Sequence, residues 1–477
     1  LEVKFGKVFG VMPETKHISR LMKIVGKENI LTSKEDLSAY SYDGSTIWTH
    51  MPDVVVLPTT TEQVSLIMKV ANENGVPVTP RGGGTNVSGG SIPIRGGIVL
   101  CTTRMNKILE INRQDLTAKV EPGLILNDFN MALAEEGLFY PPDPQSFMGC
   151  TIGGNINENS GGPRCLKYGV TKHYVLGLEV VLPDGYVMNL GGLTPKNRTG
   201  YDLSMLFTGS EGTLGIITKI ILRLVPLPPA SKTMMAVFDT IDAAADVVPH
   251  ALERGILPSK VEFVDNFAIR KAEEATHMGL STDAKVLLLA EVDGSPASVE
   301  AEALQMEEIL RRCGAREIKV AQDATEADKF WGIRRIGVGA VFGAGRTILL
   351  EDVSVPRSRL AEYVQKIDSI SDKYDVFIQV IGHAADGGLH PAVVTDIEDK
   401  DHFERSKKAA AELFENALSV GGVLTGEHGI GLEKQAFLRK AMDGRAIEIM
   451  KKIKAALDPN NILNPGKIWE DDGRDDG

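Results

Sequence analysis

The 477-residue chain is poor in cysteine, and its four cysteines, Cys101, Cys150, Cys165 and Cys313, are scattered with no C-x-x-C pair. That spacing argues against a ligated iron–sulfur cluster or a structural zinc and suits a reducing compartment. Long apolar runs are missing as well: stretches such as KIILRLV fall well short of a membrane span. Positive charge is in deficit, with a net charge of −12, so neither nucleic acid nor an acidic bilayer is an expected partner. Part of that excess lies in the terminal EDDGRDDG, expected to be a solvated tail. The opening LEVKFGKVFGVMPETKH lacks a basic start followed by a long apolar core, so no secretory signal is expected and the cytoplasm is the expected location. The first residue is not Met, which leaves a trimmed start open.

What is present is an ordinary globular composition, 43% hydrophobic and 24% charged, in a chain long enough for two or three domains. Residues 1–50 are expected to form a helical extension, with SRLMKIVG and SKEDLSAYS each opening on a capping serine. From Pro52 the texture changes to a buried strand (DVVVLP), a capped helix ended by Gly75, a second strand (VPVTP) and a glycine loop. Short strands and glycine-rich loops continue to Pro229, giving one α/β domain over 51–229.

After PLPPAS the pattern becomes repeated β-α-β units. In SRLAEYVQKIDSISDKY, Leu360, Val364, Ile367 and Ile370 recur at helical spacing and mark a face that lies on a sheet. An antiparallel α+β sandwich of the ferredoxin-like kind, with helices on one side, is expected over 230–425. A helical segment over 426–477 closes the chain, and its final DPNNILNPGKIW must dock somewhere if it is ordered.

Three loops of the first domain are low in side-chain bulk and rich in backbone donors: PRGGGTNVSGG (80–90), PPDPQSFMGCTIGGNINENSGGPR (141–164) and FTGSEGTLGIIT (207–218). The first is neither a dinucleotide G-x-G-x-x-G opening a helix nor a phosphate loop with Gly-Lys-Ser/Thr. Taken alone, that loop could equally be a tight turn between strands. Together, three such approaches suit a ligand with a pyrophosphate, a ribityl chain and two ring systems, which is a flavin dinucleotide.

VIGHAADGGLHP (380–391) reads as two extended runs joined by a six-residue loop, so that His383 and His390 face each other across a hairpin mouth. TGEHGIG (425–431) follows. Either these are polar turn residues, or they converge on one centre. In the second case His383, His390 and Glu427 offer a divalent ion two imidazoles and a carboxylate, leaving coordination sites open for zinc, iron or manganese. An extended backbone points Glu427 and His428 to opposite sides, so one ligates while the other handles a proton.

PRGGGT, TIGGNINENSGG, SEGTLGIIT and NPGK, in that order over about 45–468, resemble the FAD-linked oxidases and dehydrogenases of the vanillyl-alcohol oxidase type. Within them the chain is similar to the branch of the glycolate oxidase flavin subunit, D-lactate dehydrogenase and D-2-hydroxyglutarate dehydrogenase. The resemblance implies a FAD-binding N-terminal domain and a ferredoxin-like cap over the isoalloxazine. It places Arg81, Gly82, Gly83, Gly84, Thr85, Asn86, Pro144, Ser146, Thr151, Gly153, Gly154, Asn157, Glu211, Gly212, Ile217 and Asn464 on the cofactor. No histidine lies in the first loop, so FAD is expected to be non-covalent.

The same resemblance implies that His383, His390 and Glu427 hold the metal, that His428 is the base, and that Arg334 of FWGIRR binds the substrate carboxylate, with Arg335 as the competing choice. Relatives carry Asn in G-D-G-N-L-H where this chain has Gly388. Where 2-hydroxyglutarate enzymes place a lysine, TILLEDVS puts Leu350, which favours a small monocarboxylate, D-lactate first and glycolate second. The implied reaction is oxidation of a D-2-hydroxy acid to the 2-keto acid, with hydride to flavin N5. With no cluster ligands or nicotinamide fingerprint in the chain, the electrons are expected to pass to a partner, an electron-transferring flavoprotein or an iron–sulfur subunit. A 2-hydroxyglutarate-type enzyme, an oxygen-using oxidase, and a flavin electron-transfer subunit without its own substrate remain the alternatives.

Overall fold

The computed structural model of the protein describes residues 15–45, 47–344 and 347–470. Most of the opening run and of the acidic tail therefore lie outside the described residues. Among its described residues, the region expected to be helical carries two short α-helices, Thr15–Val25 and Lys34–Ser38, with a single 3-10 turn at Lys27–Asn29 and a strand at Ile30–Leu31 between them and irregular chain after residue 40. Ser33 caps the second helix by accepting from the Asp36 N–H at 3.1 Å, whereas Ser19 lies inside the first, which begins upstream of it.

Two sheets build the N-terminal half. The first has the order Ile30–Leu31, Val54–Val56, Ile98–Cys101, Val78–Arg81, and its last three strands are parallel. The helix Thr61–Asn74 makes the crossover, capped by Thr60 and stopped by Gly75 in the left-handed region. Val64, Ile67, Met68 and Ala71 press its apolar face onto Val54, Val56 and Leu100. Arg81 ends its strand, so the first glycine loop leaves from a carboxyl edge of parallel strands, where α/β sheets bind ligands. The second sheet is antiparallel, in the order Ile108–Asn112, Thr117–Val120, Ile216–Arg223, Val175–Val181, Val187–Gly191.

The closing segment docks on the first sheet. Leu463 bridges Val78 in parallel, with Val78 N–H donating to Ile462 O and Asn464 N–H to Val78 O, both at 2.7 Å.

The C-terminal half is built on one large antiparallel sheet, in the order Glu317–Val320, Ala230–Phe238, Val286–Gly294, Lys260–Asp265, Phe377–His383, Gly388–Thr395, Thr347–Leu350. Strand alternation sends Met234, Ala236 and Phe238 into a core with the helices Val247–Glu253, Pro296–Arg312, Leu360–Tyr374 and Lys400–Ser419. Leu360, Val364, Ile367 and Ile370 are buried there, as their spacing requires. Met235 and Val237 point the other way, against Asn266–Thr276 and Ala324–Val341. Helices thus cover both faces rather than the expected one, because strands such as Val286–Gly294 are apolar on both sides. Ala324–Val341 reaches the cleft between the two halves. Lys167 and Tyr168 fasten the halves together: Lys167 pairs with Asp293, and the Tyr168 hydroxyl donates to the same carboxylate at 2.8 Å.

Candidate active site

A single cleft between the halves is lined on one side by the three glycine loops and on the other by the cap sheet and the helix Ala324–Val341. The loops approach backbone to backbone. A methyl group added at Gly83 stands 2.2 Å from Gly149 O, so the first and second loops meet only because no side chain intervenes. Thr151 caps the short helix Ile152–Glu158 through the Gly154 N–H at 3.2 Å, aiming that helix's start into the cleft. Asn155 Nδ2, Asn157 Oδ1 and Glu158 Oε2 are buried on this wall without a hydrogen-bond partner among the described residues.

The cap wall is organised by Glu262, which is fully buried. One of its oxygens accepts from Arg334 Nε and the other meets His383 Nδ1, both at very short range. Arg334 Nη1 also donates to Gln145 Oε1 of the second glycine loop, so this guanidinium spans the cleft. Its neighbour Arg335 turns outward to Asp328 at 2.8 Å and stays exposed, which separates the two arginines left open by the sequence.

His383 and His390 come from adjacent strands but are not directly opposed. Register places His383 against Gly388 and His390 against Ile381, with a turn of 384–387 rather than the six-residue loop expected. The turn is tighter because Gly387 takes φ +87° and returns its N–H to His383 O at 3.0 Å. Diagonal neighbours on one face, the two imidazoles bring their Nε2 atoms to 3.2 Å. Glu427 Oε1 lies 3.3 Å from His390 Nε2 and 3.6 Å from His383 Nε2.

TGEHGIG is curled, not extended. The N–H groups of Gly426, Glu427 and His428 all converge on Asp352 Oδ2 at 2.9 Å, with the Thr425 hydroxyl at 2.5 Å. Around that carboxylate Glu427 turns toward the histidine pair, while the His428 ring stacks on His390 at 5.0 Å and 20°. The two side chains do separate, although curvature and not extended alternation parts them. Asp352, His390 and His428 form a second group of possible ligands, in which Asp352 Oδ1 lies 3.9 Å from His390 Nδ1, and neither these two atoms nor His428 Nδ1 has a hydrogen-bond partner among the described residues.

Burial dominates the electrostatics. It pushes His428 down to about 4, against the opposing pull of Asp352. It works to raise Glu427, but hydrogen bonds from His383 and His390 outweigh it and hold the carboxyl well below its usual range. His383 is the reverse: burial lowers it, yet the Glu262 carboxylate carries it well above an ordinary imidazole. Asp352 is also held low, its burial overcome by the neighbouring His428 and Lys434.

All the residues expected on cofactor, metal or substrate line this cleft except Asn464. Its amide donates instead to Gly90 O at 3.0 Å and Glu211 O at 2.8 Å, so it braces the cradle from behind. Sequence reading missed Glu262, Asp352 and Gln145. A carboxylate inside the apolar strand KVEFVD was the available signal for the first, since a buried charge requires partners.

A cleft of this shape, between a glycine-looped mixed sheet and an antiparallel cap, defines a flavin-binding oxidoreductase fold. A family model described as FAD binding domain matches residues 52–191, and one for the C-terminal domain of FAD linked oxidases matches 227–468. The chain is 46% identical over 455 residues to glycolate oxidase subunit GlcD of Bacillus subtilis (strain 168), covering 95% of this chain and 97% of that protein. It is 34% identical over 469 residues to a D-lactate dehydrogenase of Anaerostipes hadrus, covering 95% and 97%. Substrate-bound p-cresol methylhydroxylase shares the fold, with a TM-score of 0.80 at 21% identity over 96% of this chain and 97% of that one. The chain belongs to the FAD-linked oxidase family.

The residues present fit both expected groups. The side-chain-free cradle suits a flavin's phosphates, Asn155 Nδ2 can donate to a flavin oxygen, and Asn157 Oδ1 and Glu158 Oε2 can accept from ribityl or ribose hydroxyls. His383, His390 and Glu427 offer three ligand atoms to a single point, with Glu262 fixing the far nitrogen of His383, as outer carboxylates do for metal-bound imidazoles. No helix among the described residues is long and apolar enough to cross a membrane.

Proposed function

We propose that the protein is a FAD-dependent D-2-hydroxy-acid dehydrogenase acting on a small D-2-hydroxy monocarboxylate, with D-lactate ahead of glycolate. The observation that carries this reading is the meeting, in one cleft, of the buried Arg334 and the His383, His390, Glu427 donor set opposite the glycine cradle. A 2-hydroxy acid has one carboxylate for the guanidinium and one hydroxyl for the donor set. The names glycolate oxidase and D-lactate dehydrogenase among the relatives support the substrate class. In this reading residues 51–229 hold the flavin, 230–425 cap it, and 426–477 return to it.

When bound, FAD supplies the acceptor for the C2 hydride, and a zinc, iron or manganese ion on His383, His390 and Glu427 acidifies the hydroxyl. Arg334 orients the carboxylate and is itself held by Glu262 and Gln145. His428, kept neutral by burial, takes the hydroxyl proton, and loss of that proton together with the C2 hydride leaves the 2-keto acid. Electrons then pass to a partner protein, an electron-transferring flavoprotein or an iron–sulfur subunit. The four free thiols suit a cytoplasmic setting.

Anaerobic titration with D- and L-hydroxy acids, with and without a chelator, tests the reading. Bleaching of the flavin by D-lactate, and not by L-lactate, is expected. Failure of every small D-2-hydroxy acid to bleach it favours a flavin electron carrier instead. Reoxidation by air as fast as by a partner protein replaces the dehydrogenase with an oxidase.

A further inference from the structure

We propose that the cleft continues past the candidate ion ligands into an aliphatic groove that receives the substrate's carbon chain, so that unbranched D-2-hydroxy acids of about four to five carbons are preferred over D-lactate and glycolate. This inference rests on the D-2-hydroxy-acid reading above and extends it from the head of the substrate to its tail.

Two separate elements run from a polar head into this groove. On the strand Gly388–Thr395, His390 and Ala392 leave the same face, about 7 Å apart along the backbone. On the helix Ala324–Val341, Arg334, Val338 and Val341 share one face, the second lying about 6 Å beyond the first. All five line the cleft. A substrate held by its carboxylate and hydroxyl at Arg334 and His390 therefore sends C3 and later carbons toward Val338 and Ala392.

The walls there are aliphatic. Register sets Ala392 directly between Leu350 and Gln379 on its two neighbouring strands, where it is the shortest of three side chains that line the cleft. Gln379 is buried, and its amide already donates to Gly337 O at 3.1 Å. Val341, Ile348, Ala392 and Val394 form one apolar cluster with Leu350 packed against it. With the head held at Arg334 and His390, glycolate would put no carbon in this groove and D-lactate only its methyl.

Anaerobic stopped-flow reduction of the FAD-loaded enzyme with glycolate, D-lactate, D-2-hydroxybutyrate and D-2-hydroxyvalerate tests the groove. Each methylene buried is expected to raise the second-order rate of reduction about fourfold, giving D-2-hydroxyvalerate roughly a 15-fold lead over D-lactate. Ala392→Leu adds bulk at this position and is expected to erase that lead, so that D-2-hydroxyvalerate reduces the flavin no faster than D-lactate does in the same variant. Leu350→Ala is expected to move the optimum toward longer chains, and it serves if Ala392→Leu folds poorly. Perturbation of the flavin spectrum by 2-oxovalerate and pyruvate reads the same preference without turnover. A flat series, a lead for D-lactate or glycolate, or an equal loss on all acids in Ala392→Leu overturns the groove but leaves the reaction standing. If no hydroxy acid reduces the flavin, the reaction itself falls and the groove with it.

Discussion

Glu262 holds Arg334 by its Nε and, through its other oxygen, fixes His383 by Nδ1. One carboxylate thus sets the candidate substrate clamp and a candidate ion ligand in a single frame. The frame is buried, so its members depend on one another: an unpaired charge here has no water to turn to.

Glu262→Gln keeps the shape and removes the charge. It is expected to weaken binding of a divalent ion by about 10- to 100-fold, read by competition with a chromogenic chelator, and to lower the melting temperature. Unchanged ion affinity with lowered stability alone would assign Glu262 a purely structural place.

The two neighbouring arginines should behave differently. Arg334→Lys retains charge but loses the fork shared with Glu262 and Gln145, and is expected to raise KM for the hydroxy acid about 100-fold. Arg335→Ala only frees an exposed partner, Asp328, and is expected to stay within about twofold. Steady-state kinetics on both variants provides the comparison.

Chelation should separate the candidate ion from the flavin. Dialysis against a strong chelator is expected to abolish flavin reduction by D-lactate while leaving the flavin absorbance in place. Zinc, iron or manganese should restore it in the native protein but not in His390→Ala, whose Nε2 lies between His383 and Glu427. Full activity after chelation would remove the ion from the reaction.

Gly83→Ala puts a methyl group against a carbonyl that cannot move without disturbing the second loop, since the contact is with Gly149 O at 2.2 Å. Loss of bound FAD on gel filtration is expected, with a fall in stability of about 1–3 kcal/mol by denaturant unfolding. FAD retention equal to that of the native protein would separate this glycine from the cradle.

These residues also mark what is legible in a sequence of this kind. The glycine loops are readable because close backbone approach leaves almost no other residue type possible, and the stripe of Leu360, Val364, Ile367 and Ile370 because it is wetted on one side only. Ala324–Val341 shows no such stripe, being packed between the cap sheet and the cleft, so nothing local separates Arg334 from Arg335. Glu262 finds its partners 72 and 121 residues away, and Asp352 accepts from a loop more than 70 residues on. Such pairings belong to the tertiary fold, and the one local hint is a carboxylate in an apolar run.

The docking of Leu463 beside Val78, with Asn464 reaching Gly90 and Glu211, sets an order of events during synthesis. The earliest parallel strands leave the ribosome long before the peptide that completes their edge. The cradle is therefore finished only when residues 462–464 have emerged and folded back, and a nascent chain stalled short of them should take up little FAD.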